Sequence, residues 1–213
     1  MIDDYQTIGY MQNYGERRSF YERYPKTVDP RGFRKVLTNI VGDGSILDYG
    51  CGHGSLGYIG HNKNNVVDGL DIAVSNGLAK YHGIEEVKEK YDTIIFSHVL
   101  EHFGTDGQSA RRELSYIMQK AKKISNRIVV ALPNNVNVFM RLRYQDDWTH
   151  NPVTIDNNDF LFFMESLGWK LVSITRCDMQ LNHDPRNWFR MIFNYAVRMD
   201  PTYNIIYVFE VAP

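Results

Sequence analysis

This sequence is poor in cysteine, and it has neither a long apolar run nor an excess of charge of either sign. Its 213 residues include only two cysteines, Cys51 and Cys177, which excludes a disulfide framework or a zinc knuckle and favours a reducing compartment. No apolar run is long enough for a signal peptide or a membrane span. With 24 Lys and Arg against 25 Asp and Glu, no overall field attracts nucleic acid or an anionic membrane. We therefore expect a cytoplasmic protein with no membrane attachment and with nucleic acid as a disfavoured partner.

The chain does contain enough apolar material for a sizeable core. Hydrophobic residues make up 43% of it and aromatic residues 13%, and its length suits one domain. Residues 1–28 are polar but rich in tyrosine and phenylalanine, and they show no strand pattern, which predicts a cap or lid segment. Packing of these rings on the outside of the core is the alternative. We expect residues 29–213 to form a single domain.

Strand and helix patterns alternate from residue 29 onwards. The strand patterns cover 46–48, 66–71, 91–97, 128–132, 170–175 and 203–211. The helical patterns cover 30–41, 107–123, 156–167 and 188–195. This order predicts a Rossmann-like, doubly wound α/β fold with a mostly parallel sheet, in which residues 203–211 form an antiparallel C-terminal edge strand.

Glycines recur at alternate positions directly after the first strand. Asp48 ends the apolar run, and Gly50, Gly52 and Gly54 follow it. Such glycines let the backbone approach a ligand closely at the start of the next helix. The second strand ends in Asp71, whose carboxylate could accept hydrogen bonds from the two hydroxyls of a ribose. The two features together predict an adenosine-containing cofactor.

The spacing of the glycines selects among such cofactors. A dinucleotide fingerprint has its third glycine five residues after the first, where this chain has Ser55. The tighter turn of residues 50–54 instead resembles motif I of the class I S-adenosylmethionine (SAM)-dependent methyltransferases. The resemblance implies SAM as the cofactor. An NAD-linked oxidoreductase, disfavoured by Ser55, and a glycine-rich turn in another α/β protein are the rivals.

The resemblance extends over about two thirds of the chain, to the small-molecule type of this family. That group includes ubiquinone-pathway O-methyltransferases and, more weakly, small-RNA 2'-O-methyltransferases. The matching segments are the glycine loop, Asp71, residues 91–103, residues 132–134, and Thr149 with His150. By resemblance, Gly50 and Gly52 offer their backbone to the cofactor, and Ser97 and His98 line its pocket.

The resemblance implies methyl transfer to a hydroxyl, or another nucleophile, of a small molecule. The pattern [DN]PP[YF], expected of enzymes that methylate base amino groups, is not supplied by residues 132–135, so we favour an oxygen acceptor. A metal-assisted RNA 2'-O-methyltransferase is one alternative, with four arginines as its only basic track: Arg17, Arg18, Arg141 and Arg143.

The chain between Asp71 and Asp92 is short for this family, so the second helix and the third strand have little room. The acid that often contacts adenine therefore has no clear counterpart, although Tyr81, His82 and Gly83 lie near its place. A SAM-binding module without catalysis is the alternative that this contraction suggests.

A cluster of candidate catalytic residues follows the strand of residues 91–97. His98, Glu101 and His102 match the HxxEH pattern of one zinc-protease class, which needs a continuous helix, whereas here the pattern begins at a strand end. By resemblance, Glu101, His102 and His150 suggest a divalent-metal site, with His98 where the family has an acid. A metal there would lower the pKa of an acceptor hydroxyl. Alternatively, His102 or His150 acts as a general base, or Glu101 and His102 only cap the turn.

Overall fold

The computed structural model describes residues 31–52, 65–72, 79–104, 106–134, 154, 157–178 and 202–212. The cap segment predicted at 1–28, the first helical position at Pro30 and the helix predicted at 188–195 lie outside these ranges. Within them, no helix is both long enough and apolar enough to cross a bilayer.

A six-stranded mixed sheet forms the centre of the described structure. Its strands are β1 Ser45–Tyr49, β2 Val66–Leu70, β3 Thr93–Ser97, β4 Arg127–Pro133, β5 Trp169–Asp178 and β6 Thr202–Val211. Their order across the sheet is β2-β1-β3-β4-β6-β5. The first four strands in that order pair in parallel, and β6 pairs antiparallel with both β4 and β5. The α/β class and the mostly parallel sheet are confirmed.

The C-terminal strand is antiparallel, as its sequence predicted, but β5 occupies the edge. β6 lies between β4 and β5, and its apolar run Ile205–Phe209 is buried throughout. A continuous apolar run suits a strand that is covered on both faces. In β5, by contrast, Val172 and Ile174 are exposed, which suits a strand paired on one side only. β6 therefore takes the inner position and β5 the edge, because burying the apolar side chains of β6 costs less desolvation free energy.

In the part of the chain that the structure describes, three α-helices cover the two faces of the sheet: α1 Arg31–Val41, α2 Gly107–Ile124 and α3 Asn157–Ser166. One core joins α2 and α3 to the strand residues on one face, with Leu47, Phe96 and Tyr207 among its members. The other core joins α1 to the alternate strand residues, including Ile46 and Ile95. Because successive strand side chains point to opposite faces, each parallel strand contributes to both cores.

The contraction after Asp71 is visible in the strand expected between Asp71 and Asp92. Among the described residues of that interval, it amounts to one bridge, in which Leu70 pairs in parallel with Tyr81 beyond the β2 edge. Side chains tie this short segment to the sheet: the Tyr81 hydroxyl lies 3.1 Å from the Tyr91 hydroxyl, and Tyr91 donates to Asp68 Oδ2 at 2.6 Å. Lys80 Nζ donates to the same oxygen at 2.7 Å. These bonds hold in place a segment that has too few backbone bonds to form a strand.

Gly104, just before α2, provides a test of this packing. Its φ is +69°, and an added Cβ would lie 2.6 Å from the Ala110 Cα, where only backbone could yield. We expect Gly104→Ala to lower the free energy of unfolding by about 2 to 5 kcal/mol, since it combines left-handed strain with overlap. Gly83→Ala is the control, because Gly83 has extended backbone and the nearest atom to its Cβ is a Glu85 carboxylate oxygen at 3.3 Å. Urea denaturation of both variants checks this, and equal losses would contradict it.

Candidate active site

The carboxyl ends of β1, β2 and β3 meet at one edge of the sheet. Tyr49 is in register with Leu70 of β2 and with Phe96 of β3, so the three strands end side by side. The glycine loop follows β1, Asp71 follows β2, and His98 follows β3. In open α/β sheets, ligands bind at this edge of the strands.

The glycine loop crosses the end of β2 and packs against the turn after β3. The Gly50 and Cys51 amides both donate to the Leu70 carbonyl, at 2.7 and 3.1 Å. Gly50 has φ +77°, and an added Cβ would lie 2.6 Å from Val99 Cγ2. Only glycine satisfies both the conformation and the close approach. The third glycine of the pattern, Gly54, lies outside the described residues.

Asp71 is bonded to the glycine loop through its side chain. Its Oδ2 accepts a hydrogen bond from the Gly52 amide at 2.8 Å. Its own amide donates to the Tyr81 carbonyl at 3.0 Å, and its carbonyl lies 3.1 Å from His82 Nδ1. The predicted ribose acid is therefore buried and held from three directions, next to the predicted cofactor loop.

Asp48 lies buried at the end of β1, just before the glycine loop, with 3% of its surface exposed. Burial, and after it the negative charge of Asp71, raise the pKa of the Asp48 carboxyl to about 7. A negative charge in low-dielectric surroundings disfavours ionisation of a neighbouring acid and favours a cation placed beside it. This part of the site is therefore suited electrostatically to a positively charged ligand.

His98, directly after Ser97 at the end of β3, has an unusual backbone. Its φ is +55°, and it is the only non-glycine with positive φ among the residues that the structure describes. Its amide still donates to the Ala131 carbonyl of β4 at 2.9 Å, so the sheet fixes its position. Its ring centroid lies 5.8 Å from that of Phe33 in α1. The hydrogen bond to β4 fixes the backbone of His98, and its ring packs near Phe33 of the covering helix α1.

Glu101 is brought close to His98 by a single helical turn, Leu100–His102. Glu101 is 2% exposed, and its Oε1 lies 3.4 Å from His98 Nδ1. Burial opposes its ionisation, but the hydrogen bond from His98 and the charges of His98 and His102 together hold the pKa of Glu101 below its usual range. Because this is one short turn after a strand, the continuous helix required by an HxxEH zinc protease is not formed here.

The predicted metal set cannot be assembled from the described residues. Among them, no group of three or more His, Cys, Asp or Glu side chains could hold a metal ion. His150 lies outside the described ranges, so the set of His98, Glu101, His102 and His150 stays a prediction. Of its members, the structure places His98 against Glu101 and leaves His102 half-buried on the same turn.

Three contacts of the site were not expected from the sequence. They are Val99 against Gly50, Phe33 against the His98 ring, and His82 against the Asp71 carbonyl. Each contact joins segments that are far apart in the sequence or that have no regular secondary structure. The type of a residue alone does not indicate which distant residue it will contact. The sequence placed His82 only near the expected position of the adenine-contacting acid, within the short interval between Asp71 and Asp92.

Comparison with solved structures reveals many proteins of the same fold. A SAM-dependent methyltransferase from Archaeoglobus fulgidus is 18% identical, with 91% of this chain matched to 99% of that one and a TM-score of 0.58. Magnesium protoporphyrin IX methyltransferase from Synechocystis PCC 6803, with bound SAM, is 15% identical, with coverages of 100% and 99% and a TM-score of 0.58. No family model and no curated protein matches the chain.

A third similar structure contains two bound small molecules. It is the 1,6-didemethyltoxoflavin-N1-methyltransferase from Burkholderia thailandensis, with bound 1,6-didemethyltoxoflavin and S-adenosylhomocysteine (SAH). It is 9% identical, with coverages of 97% and 90% and a TM-score of 0.60. The chain therefore has the Rossmann-like fold of class I SAM-dependent methyltransferases.

The raised pKa of Asp48 predicts a specific pH dependence of stability. Because the folded pKa of about 7 exceeds the ordinary aspartate value of 3.8, the folded state retains a proton that the unfolded state loses. The contribution of Asp48 therefore falls as pH rises from about 4 to about 7 and is constant above that. Asp48→Asn should remove this fall and gain up to about 4 kcal/mol over wild type across the window.

The measurement is denaturant unfolding of wild type and Asp48→Asn at several pH values across that window. Asp43→Asn is the control, since Asp43 is an exposed acid just before the start of β1. A difference between wild type and Asp48→Asn that stays constant with pH would contradict the prediction.

Proposed function

We propose that the chain is a SAM-dependent methyltransferase that transfers a methyl group to a small-molecule acceptor. The observation that carries the proposal is the bond between Asp71 and the Gly52 amide, which joins the candidate ribose acid to the candidate cofactor loop. The similarity to methyltransferase structures supports it through the fold. We further propose that residues 29–213 form one cofactor-binding domain, with residues 1–28 as its cap.

The residues present fit the cofactor that the fold implies. Gly50 leaves space for close backbone approach only because it lacks a Cβ, and the adjacent acids Asp48 and Asp71 suit a cationic ligand. We assign cofactor binding to seven residues: Asp48, Gly50, Gly52, Gly54, Asp71, Ser97 and His98. Asp71 would accept hydrogen bonds from the ribose, and the loop backbone would face the methionine-like tail.

The cofactor, when bound, supplies an electrophilic methyl group on a positively charged sulfur. The residues of the chain then bind and orient the cofactor and the acceptor, and they exclude water. Positioning contributes most to the rate of an in-line displacement. The buried acids complement the positive charge, and their low-dielectric surroundings strengthen that attraction. We keep Glu101, His102 and His150 as candidates for assisting the acceptor, with or without a divalent metal.

For the acceptor we propose a hydroxyl of a small metabolite. The sequence lacks the [DN]PP[YF] pattern, although the Burkholderia thailandensis protein is by name an N1-methyltransferase, so a ring nitrogen is the closest alternative. A SAM-binding module without catalysis is a second candidate. It is favoured by the short interval between Asp71 and Asp92, where the described residues form only the Leu70–Tyr81 bridge. Tight SAM binding with no methyl transfer to any hydroxyl or amine acceptor would select the module.

Calorimetric titration with SAM and SAH tests the role of Asp71. We expect Asp71→Ala to weaken binding of both by about 1 to 3 kcal/mol, since a charged hydrogen-bond acceptor is lost. Asp71→Asn, which retains one carbonyl oxygen, should lose less. Asp68→Asn is the matched control, because Asp68 lies on β2 three residues before Asp71 but bonds Lys80 and Tyr91 at the sheet edge. Unchanged affinity in Asp71→Ala would remove Asp71 from the site, and no binding by wild type would refute the proposed cofactor.

The affinity for SAM should also depend on pH through Asp48. A cationic ligand favours ionised Asp48, whose pKa in the free protein is about 7, so binding below that pH must displace a proton. We expect SAM to bind up to about tenfold more tightly for each pH unit towards neutrality, and SAH, which lacks the sulfonium charge, to change less. Titrations at several pH values with wild type and Asp48→Asn check this. An equal dependence for the two proteins, or for the two ligands, would contradict it.

A further inference from the structure

The outer side of the chain at Asp71 is supported by backbone bonds to Tyr81. The Tyr81 amide donates to the Gly69 carbonyl at 3.2 Å, and the Asp71 amide donates to the Tyr81 carbonyl at 3.0 Å. His82 Nδ1 lies 3.1 Å from the Asp71 carbonyl. The backbone position of Asp71, the candidate ribose acid, therefore depends on where Tyr81 lies.

Tyr81 is itself held by its hydroxyl. This hydroxyl donates to Glu89 Oε2 at 2.6 Å and lies 3.1 Å from the Tyr91 hydroxyl in a buried contact. Tyr91 is fixed to the main framework, because its amide donates to the Ile124 carbonyl at the end of α2 and its hydroxyl donates to Asp68 of β2. The contact between the two hydroxyls thus joins the Tyr81 segment to both the helix and the sheet.

Burial of the two rings does not by itself require these hydroxyls. Tyr81 and Tyr91 are each 6% exposed, in a core that is otherwise built from apolar and aromatic side chains. Two phenylalanines would fill nearly the same volume without burying hydroxyls, which costs free energy unless they are hydrogen-bonded. Apolar packing is non-directional, whereas a hydrogen bond restricts both distance and angle. The hydroxyl contact therefore fixes the Tyr81 backbone more closely than ring burial alone would.

We propose that Tyr81 is a positioning residue for cofactor binding that acts through Asp71, with Tyr91 as its buried anchor. A shift of Tyr81 moves the Asp71 backbone, and with it the carboxylate that accepts from the Gly52 amide at 2.8 Å. Hydrogen bonds weaken steeply when they are misaligned, so the affinity of Asp71 for a ribose depends on that position. This inference rests on the proposed function and names the residues that set the geometry of its ribose acid.

A double-mutant cycle in the full-length protein tests the proposal, with calorimetric titration of SAH as the readout. The four proteins are wild type, Tyr81→Phe, Asp71→Ala and the double variant. We expect Tyr81→Phe to weaken SAH binding roughly two- to tenfold when Asp71 is present, and not measurably when it is absent. A residue that acts only through Asp71 has nothing to position once the carboxylate is removed. A merely structural role would give the same fold loss in both backgrounds.

Two further variants separate this contact from general loosening of the segment. Tyr91→Phe removes the buried hydroxyl contact from the other side, so its effect on SAH binding should show the same dependence on Asp71. Tyr116→Phe is the matched control, because the exposed Tyr116 hydroxyl of α2 donates to Glu85, in the same interval between Asp71 and Asp92. It should bind SAH like wild type. Asp68→Asn keeps an oxygen that accepts from Tyr91, which agrees with its use as a control above.

Amide hydrogen exchange, followed by NMR without any ligand, gives a second readout. The Asp71 amide is bonded to the Tyr81 carbonyl, and we expect it to exchange roughly fivefold faster or more in Tyr81→Phe. The His98 amide, bonded to the Ala131 carbonyl at the same edge of the sheet, should keep its wild-type rate. Equal acceleration of the two amides would show a general loss of stability and would overturn the inference.

The binding data can also overturn it. Unchanged SAH affinity in Tyr81→Phe, equal fold losses with and without Asp71, or a comparable loss in Tyr116→Phe would each exclude the proposed positioning role. Failure of wild type to bind SAH would instead refute the proposed function. The two failures are distinguishable, because the first requires a wild type that binds SAH and the exchange of the Asp71 amide is measured without ligand.

Discussion

The pairing of β1 with β2 on one side and with β3 on the other is the constraint on which the candidate site depends. Parallel pairing in register brings three strand ends to one edge, and the chain after each strand must turn there. The Gly50 amide then bonds the Leu70 carbonyl, and Asp71 bonds the Gly52 amide. Without these cross-strand bonds, the glycine loop and the predicted ribose acid would be unrelated segments.

Charge at that edge is concentrated in low-dielectric surroundings. Asp48, Asp71 and Glu101 are all buried, and burial raises the pKa of Asp48, whereas neighbouring imidazoles hold the pKa of Glu101 low. The fold therefore carries an electrostatic cost in the absence of a cation. Such costs are typical of functional sites, because a ligand of opposite charge recovers them on binding.

The sheet edge beyond β2 and the turn after β3 differ in how their backbone is held. Among the described residues between Asp71 and Asp92, the Leu70–Tyr81 bridge stands in place of a further strand, and a network of tyrosines and acids holds that edge together. His98, in contrast, keeps an unfavourable φ between two bonded neighbours. The sheet edge beyond β2 is therefore held mainly by side-chain hydrogen bonds, whereas the turn beside the glycine loop contains a residue with strained backbone.

The sequence by itself determined the strands, the helices within the described ranges, and the pairing of a glycine loop with an acid after the next strand. These are local patterns, because period and glycine spacing are properties of neighbouring residues. Only the tertiary structure decided that β6 lies inside β5, that Glu101 faces His98, and that the Asp48 pKa is raised. Strand order, side-chain pairs and burial depend on residues far apart in the chain, and no local pattern encodes which of them meet.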